Sequence, residues 1–157
     1  MTKRSAQHAT FVIERDFDAT PAQVFAAWAT REAKARWFVG PDGWQTKIRE
    51  LDFRVGGRER LVGARPDGKV SDFSSHYEDI VANERIIYTY DMRIDDARIS
   101  VSLATVEFRT AGRGMRLTVT EQGVFLDGYD DAGSRERGTR VLLDKLETAV
   151  RHAPASA

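Results

Sequence analysis

Thr10-Phe11-Val12-Ile13-Glu14-Arg15-Asp16-Phe17-Asp18-Ala19-Thr20-Pro21-Ala22-Gln23-Val24-Phe25-Ala26-Ala27-Trp28 is the stretch on which the fold turns. Phe11, Ile13 and Phe17 alternate, which predicts a strand over Thr10–Phe17 with Arg15 on the same face. Thr20 then offers a cap, Pro21 suits the first helical position, and Gln23 completes a capping box. Val24, Phe25 and Trp28 follow at helical spacing. Thr30 is a second cap candidate, opening a short helix that runs through Ala33 to Trp37, and Gly40-Pro41-Asp42-Gly43 stops it. A strand leading into two short helices is an unusual opening, and it limits what can follow.

Outward from that stretch, Trp44 to Gly123 reads as strands and tight turns. Turn chemistry recurs at Gly56-Gly57, Arg65-Pro66-Asp67-Gly68, Ala82-Asn83-Glu84, Ile94-Asp95-Asp96 and Ala111-Gly112-Arg113-Gly114. About six strands separate these turns, with the short connections of an antiparallel meander. Alternation is clearest in Ile86, Tyr88, Tyr90 and Met92, then in Ala104, Val106 and Phe108, and in Met115, Leu117 and Val119. After a polar loop from Asp127 to Gly133, Ser134 is the expected cap of a last helix reaching about His152. Its apolar stripe is read as Val141, Leu142, Leu146, Ala149 and Val150. The layout is α+β: one antiparallel sheet of six or seven strands against a long C-terminal helix, with two short helices after the first strand.

The 157 residues suffice for one domain with a sizeable core. That domain is expected over residues 10–152, with residues 1–9 and 153–157 as disordered termini. Lys plus Arg and Asp plus Glu both number 24, leaving no net charge. A nucleic-acid backbone as partner is therefore disfavoured, because phosphate binding feeds on a basic excess. There is no cysteine, which excludes disulfides, thiolate metal sites and a cysteine nucleophile. His8 and His152 lie near the chain ends, so a three-histidine metal site with His76 is not expected. Neither a membrane span nor an apolar leader is visible, and the expected compartment is the cytoplasm.

Several motifs have a plain and a chemical reading. Gly63-Ala64-Arg65-Pro66-Asp67-Gly68-Lys69-Val70 nearly spells a phosphate loop. Val70 replaces the needed hydroxyl, and the segment sits at a hairpin, so a turn is expected. His76 and Glu78 are two residues apart on a predicted strand and share a face, as an acid–base pair would; a half-exposed strand histidine is the plain reading. Glu59 and Glu121 lie beside apolar strand positions. If they face inward each needs a partner, and Arg15 is a candidate. Trp28, Trp37, Phe38, Trp44, Tyr88, Tyr90 and Phe125 suit either a core or a cavity wall. Gly138 weakens the last helix, which would make sense if room is needed beside it.

Together these residues resemble a known family. The opening Ile13 to Pro21, Val24-Phe25, Trp28 and Arg36-Trp37-Phe38 is similar to the Aha-type branch of the START-like superfamily, named for the activator of the heat-shock-protein-90 ATPase. Leu51-Asp52-Phe53-Arg54-Val55-Gly56-Gly57 resembles its glycine-pair turn, and Tyr77 to Ile80 with Glu84 to Ile87 its central hairpin. Gly138-Thr139 with Leu143 to Leu146 is similar to its last-helix signature. The resemblance spans about residues 10 to 150. Thr139, Glu59 and Ser75 depart from it, standing where Trp, an aromatic residue and Gly are usual.

What the resemblance implies is a helix-grip fold, a seven-stranded sheet around the C-terminal helix with an apolar cavity between them. A soluble protein binding a small apolar or aromatic ligand is the leading expectation. Trp37, Trp44, Tyr88 and Tyr90 would line the cavity, with Glu59 and His76 orienting the ligand. No cofactor and no metal are expected, and no catalytic residue is assigned. One rival is an enzyme of the polyketide cyclase or dehydratase kind, with His76, Glu78, Glu59 or Tyr90 as acid–base candidates. Another is a chaperone co-factor, disfavoured because the chain matches only the C-terminal type of a two-domain activator. A homodimer stays open.

Overall fold

The computed structural model describes residues 3–153. Strand β1 (Ala6–Phe17) leads into helices α1 (Pro21–Ala29) and α2 (Arg31–Ala35). Six strands follow: β2 (Gln45–Leu51), β3 (Arg58–Ala64), β4 (Val70–Val81), β5 (Arg85–Ile94), β6 (Ala97–Ala111) and β7 (Gly114–Leu126). Helix α3 (Ala132–Arg151) closes the chain. The strands form one antiparallel sheet in the order β1-β7-β6-β5-β4-β3-β2. From β2 to β7 every neighbour in sequence is a neighbour in space, whereas the two short helices carry the chain from one sheet edge to the other. The expected α+β layout is the one found, with seven strands.

Local chemistry explains most boundaries. Thr20 accepts from the Gln23 backbone while the Gln23 side chain accepts from the Thr20 N–H, a complete capping box. Thr30 caps α2 in the same way, accepting from the Ala33 N–H. Asn83, Asp95 and Gly112 adopt positive φ at three of the expected turns. At the glycine pair the two residues have different reasons. Gly56 has φ +84°, whereas a Cβ on Gly57 would lie 2.0 Å from the Asp52 carbonyl oxygen.

Some boundaries differ from the sequence reading. β1 begins four residues early, and Ala6–Ala9, expected to belong to a disordered N-terminal tail, pair with Gly123–Leu126 in the sheet. Sheet hydrogen bonding, not alternation, holds that extension. The cap of α3 is Asp131, not Ser134: its carboxylate accepts from the Ser134 N–H. Within α3 Leu146 is buried in the core and Leu142, Ala149 and Val150 pack against it as expected, but Leu143, not in the expected stripe, is also buried, while Val141 is exposed. A turn of 100° per residue swings Val141 away from the face that Leu143 and Leu146 share. Of the expected C-terminal tail, residues 154–157 lie outside the described residues, as do residues 1–2.

The core lies on the inward face of β1, β4, β5, β6 and β7. Ile13, Ile86, Val106, Leu117, Leu143 and Leu146 are almost wholly buried there. Arg15 does face inward, but its partner is on α3: Nη1 donates to Asp144 at 2.7 Å and Nη2 to the Arg140 carbonyl oxygen. It reaches neither Glu59 nor Glu121. No helix among the described residues is long and apolar enough to cross a membrane.

Candidate functional site

Between the sheet and α3 lies a cavity of about 410 Å³. The segment from Trp28 to Trp44 closes one side, β4 and β5 form the floor, and Gly138, Thr139 and Leu142 of α3 lie opposite. Trp37, Trp44, Tyr88 and Tyr90, expected to be its wall, all line it. Gly138 lines it too, and a Cβ added there would meet nothing within 4 Å. Gly138 is itself exposed, so a larger side chain there has room beside the cavity without displacing a neighbour.

The aromatic side chains form a closed circuit. Each ring meets two others, in the order Phe25, Phe53, Tyr77, Tyr88, Tyr90, Phe73, Phe38, Trp37, Trp28, Phe108 and back to Phe25, with centroid separations from 4.6 to 6.3 Å. Most pairs meet edge to face, the favoured arrangement for quadrupolar rings. Six of them, from Trp28, Trp37 and Phe38 to Phe73, Tyr88 and Tyr90, face the cavity. The remainder belong to the core.

Two buried polar clusters interrupt this apolar wall. The first is built on Lys34. Its spacing of three residues to Trp37 turns it to the buried side of α2, where it is only 2% exposed. Lys34 Nζ donates to Glu59 Oε1 and, at 3.3 Å, to the Tyr77 hydroxyl; that hydroxyl donates to the same Glu59 oxygen at 2.8 Å. The rings of Trp28, Trp37, Phe38, Tyr77 and Tyr88 surround Nζ at 4.6 to 5.9 Å from their centroids. Burial pushes the Lys34 ammonium below its usual value, and Glu59 opposes that push. The Tyr77 phenol is raised by burial and by the neighbouring carboxylate, so it stays a neutral donor.

The second cluster joins the sheet to α3. Tyr90 donates to Glu121 Oε2 at 2.7 Å, and Arg135 Nη1 donates to the Tyr90 oxygen at 2.9 Å. Arg135 Nη2 reaches Ser100 at 2.8 Å and Asp130 at 3.1 Å. The guanidinium also lies over the rings of Tyr90 and Phe125. Burial holds the Glu121 carboxyl above its ordinary value, with Tyr90 and Arg135 pulling the other way. Tyr90 is likewise raised, chiefly by burial.

Set against the sequence reading, Glu59 is buried as expected, but both its partners are protein groups and it stands behind Lys34, not on the cavity surface. His76 is corrected outright. It and Glu78 do share a face, but it is the exposed outer face; Phe73, Ser75 and Tyr77 take the inner one. Strand parity alone removes both from the cavity. Lys34 and Arg135 were not singled out in the sequence, where a charged residue on a helix reads as solvated. The available signals were their helical spacings, Lys34 to Trp37, and Arg135 to Gly138, Thr139 and Leu142.

The phosphate-loop look-alike is the β3–β4 hairpin, closed by the Gly68 N–H on the Arg65 carbonyl at 3.0 Å.

The same architecture recurs in solved structures. An uncharacterised protein from Rhizobium leguminosarum is 49% identical, with a TM-score of 0.91 over 96% of this chain and 99% of that one. A protein from Rhizobium loti is 42% identical, with a TM-score of 0.86 over 92% of this chain and 99% of the other. An AHSA1-like protein from Aeromonas hydrophila shares the fold at 21% identity, with a TM-score of 0.68 over 95% and 98% of the two chains. No curated protein matches the chain. Residues 18–151 match the sequence model described as Activator of Hsp90 ATPase homolog 1-like protein, and the chain belongs to that family.

Proposed function

We propose that this protein binds a small hydrophobic or aromatic molecule in the cavity between the sheet and α3. The observation that carries this reading is a space of about 410 Å³ walled by seven aromatic side chains, the six of the circuit and Trp44, and bordered by two hydrogen-bonded polar clusters. That volume falls within the range of small-molecule sites, and a few polar groups in an apolar wall are how such sites select an orientation. Apolar area supplies the affinity. Trp37, Trp44, Tyr88 and Tyr90 are its main sources, and Lys34, Arg135 and the Tyr90 hydroxyl are the polar groups that can orient the ligand.

A thermal-shift screen of sterols, fatty acids, flavonoids and polyketide-like aromatics tests it. A ligand at one hundred times its dissociation constant stabilises the fold by about 2.7 kcal/mol. For a domain of this size the midpoint rises by roughly 3–5 °C. Gly138→Leu provides the control. Leucine favours the helix over glycine by close to 1 kcal/mol, so the unliganded protein keeps or gains stability while its side chain fills the cavity. The shift should then vanish. A shift that survives Gly138→Leu places the ligand elsewhere, and the absence of any shift across the screen defeats the reading.

A further inference from the structure

Lys34 is a poor choice for stability alone. Replacing a buried ion pair by apolar side chains of similar volume is often neutral or favourable, so a Lys–Glu pair in an apolar wall calls for another reason. Its surroundings supply one. Nζ is on the cavity side of Glu59, inside the aromatic circuit, with a carboxylate and a neutral phenol at hydrogen-bond distance. The buried Trp28 Nε1–H, on one of the rings around Nζ, has no partner among the described residues. An amine in an apolar pocket beside a group that can take its proton is the arrangement of a carbonyl-capturing lysine.

We propose that Lys34 captures an aromatic or conjugated aldehyde or ketone in the cavity as a Schiff base, with Glu59 as the proton carrier. The inference rests on the cavity being a ligand site. Glu59 first takes a proton from the Lys34 ammonium. The Nζ lone pair then forms a bond to the carbonyl carbon, and the C=O electron pair moves to oxygen, which picks up a proton from nitrogen. The Glu59 carboxyl returns its proton to the new hydroxyl, which departs as water while the nitrogen lone pair closes the C=N bond. Ammonium and carbonyl have become iminium and water, with no oxidant or reductant required. The product is again a cation beside the Glu59 carboxylate and among the same five rings, so the groups that hold the ammonium also hold the iminium. Tyr77 keeps its proton and positions the carboxylate. The Trp28 N–H is an available donor for the carbonyl oxygen.

Cinnamaldehyde and 2-naphthaldehyde are the probes, added to the full chain with cyanoborohydride and followed by peptide mapping. Each unit by which burial lowers an amine's pKa raises its free-base fraction about tenfold at neutral pH. The reduced adduct is expected on Lys34 at roughly tenfold or more over each of Lys3, Lys47, Lys69 and Lys145, of which the first three are exposed. Lys34→Arg should keep the cation and lose the adduct. If that variant misfolds, the map of the unaltered protein still decides. Adducts confined to the other lysines overturn the proposal, whether or not the aldehydes shift the melting midpoint. A shift without an adduct leaves the cavity reading standing, and failure of the non-carbonyl ligands in the screen above counts against that reading alone.

Discussion

In the α2 wall of the cavity a lysine is committed to one carboxylate and one phenol; in the α3 wall an arginine divides its donors among Tyr90, Ser100 and Asp130 and lies 3.7 Å from Glu121. Both clusters combine a cation, a buried glutamate and a tyrosine, yet they distribute charge differently. The ammonium is a point charge and gathers its neighbours round one atom. The guanidinium is a planar fork, so each of its partners takes a separate N–H. Removing one partner should therefore be severe in the first cluster and mild in the second. The difference also separates two uses of buried charge: a compact pair in which a proton can move, and a spread network that ties a helix to a sheet.

The two clusters should differ most at Glu59. Glu59→Ala leaves Lys34 buried with its charge uncompensated and should cost about 3–5 kcal/mol in urea unfolding. The double change Lys34→Met with Glu59→Leu should recover most of that loss. If Glu59→Ala costs less than Glu121→Ala, the two clusters have been ranked the wrong way round.

Glu121→Gln sharpens the contrast and should cost only about 1–2 kcal/mol at neutral pH, because Tyr90 and Arg135 keep other partners. The pH dependence gives the sign. Burial raises the Glu121 carboxyl above its ordinary value of 4.5, so over the interval above that value the folded chain holds a proton that the unfolded chain has released. Stability then falls as pH rises through the interval. Lys34 works in the opposite sense: its ammonium is depressed from 10.5, so below that value the unfolded chain binds more protons and stability rises with pH towards it. Unfolding free energies of the natural protein and Glu121→Gln should therefore move in the variant's favour as pH climbs from 4.5. Parallel curves would remove the raised carboxyl from the account.

The smallest effect belongs to the outer face. His76→Ala should change stability by no more than about 0.5 kcal/mol and leave any ligand-induced thermal shift intact, since an exposed strand residue away from caps and networks rarely does more. Loss of binding in that variant would return His76 to the site.

The contrast between His76 and its neighbours also shows what was legible. Phe73 and Tyr77 already marked the inner parity of β4, so Ser75 inward and His76 outward followed from alternation once those aromatics were weighed. Trp37, Trp44, Tyr88 and Tyr90 were legible as buried aromatics, but the residues alone left core and cavity wall both open, because burial of a ring does not say whether its neighbour is a side chain or an empty space. Glu59 and Glu121 stood out as carboxylates among apolar strand positions. Their partners did not. Lys34 is 25 residues from Glu59, and Arg135 is 45 from Tyr90, and no local pattern connects residues so far apart.

Near neighbours in the chain were enough to set the capping box of α1, the threonine cap of α2, the turns with their positive-φ residues, and the alternation that makes each strand two-faced. Those are interactions over a few residues, and the chain carries them wherever it goes. Tertiary structure decided which charged groups meet. The pairing of Glu59 with Ser75 and of Ser75 with Tyr90 across β3, β4 and β5 sets Glu59 and Tyr90 on one inward row. The packing of α2 and α3 then brings Lys34 to one and Arg135 to the other. A buried charge is tolerable only with a partner, and a partner that distant in sequence exists only after the sheet has closed over the helix.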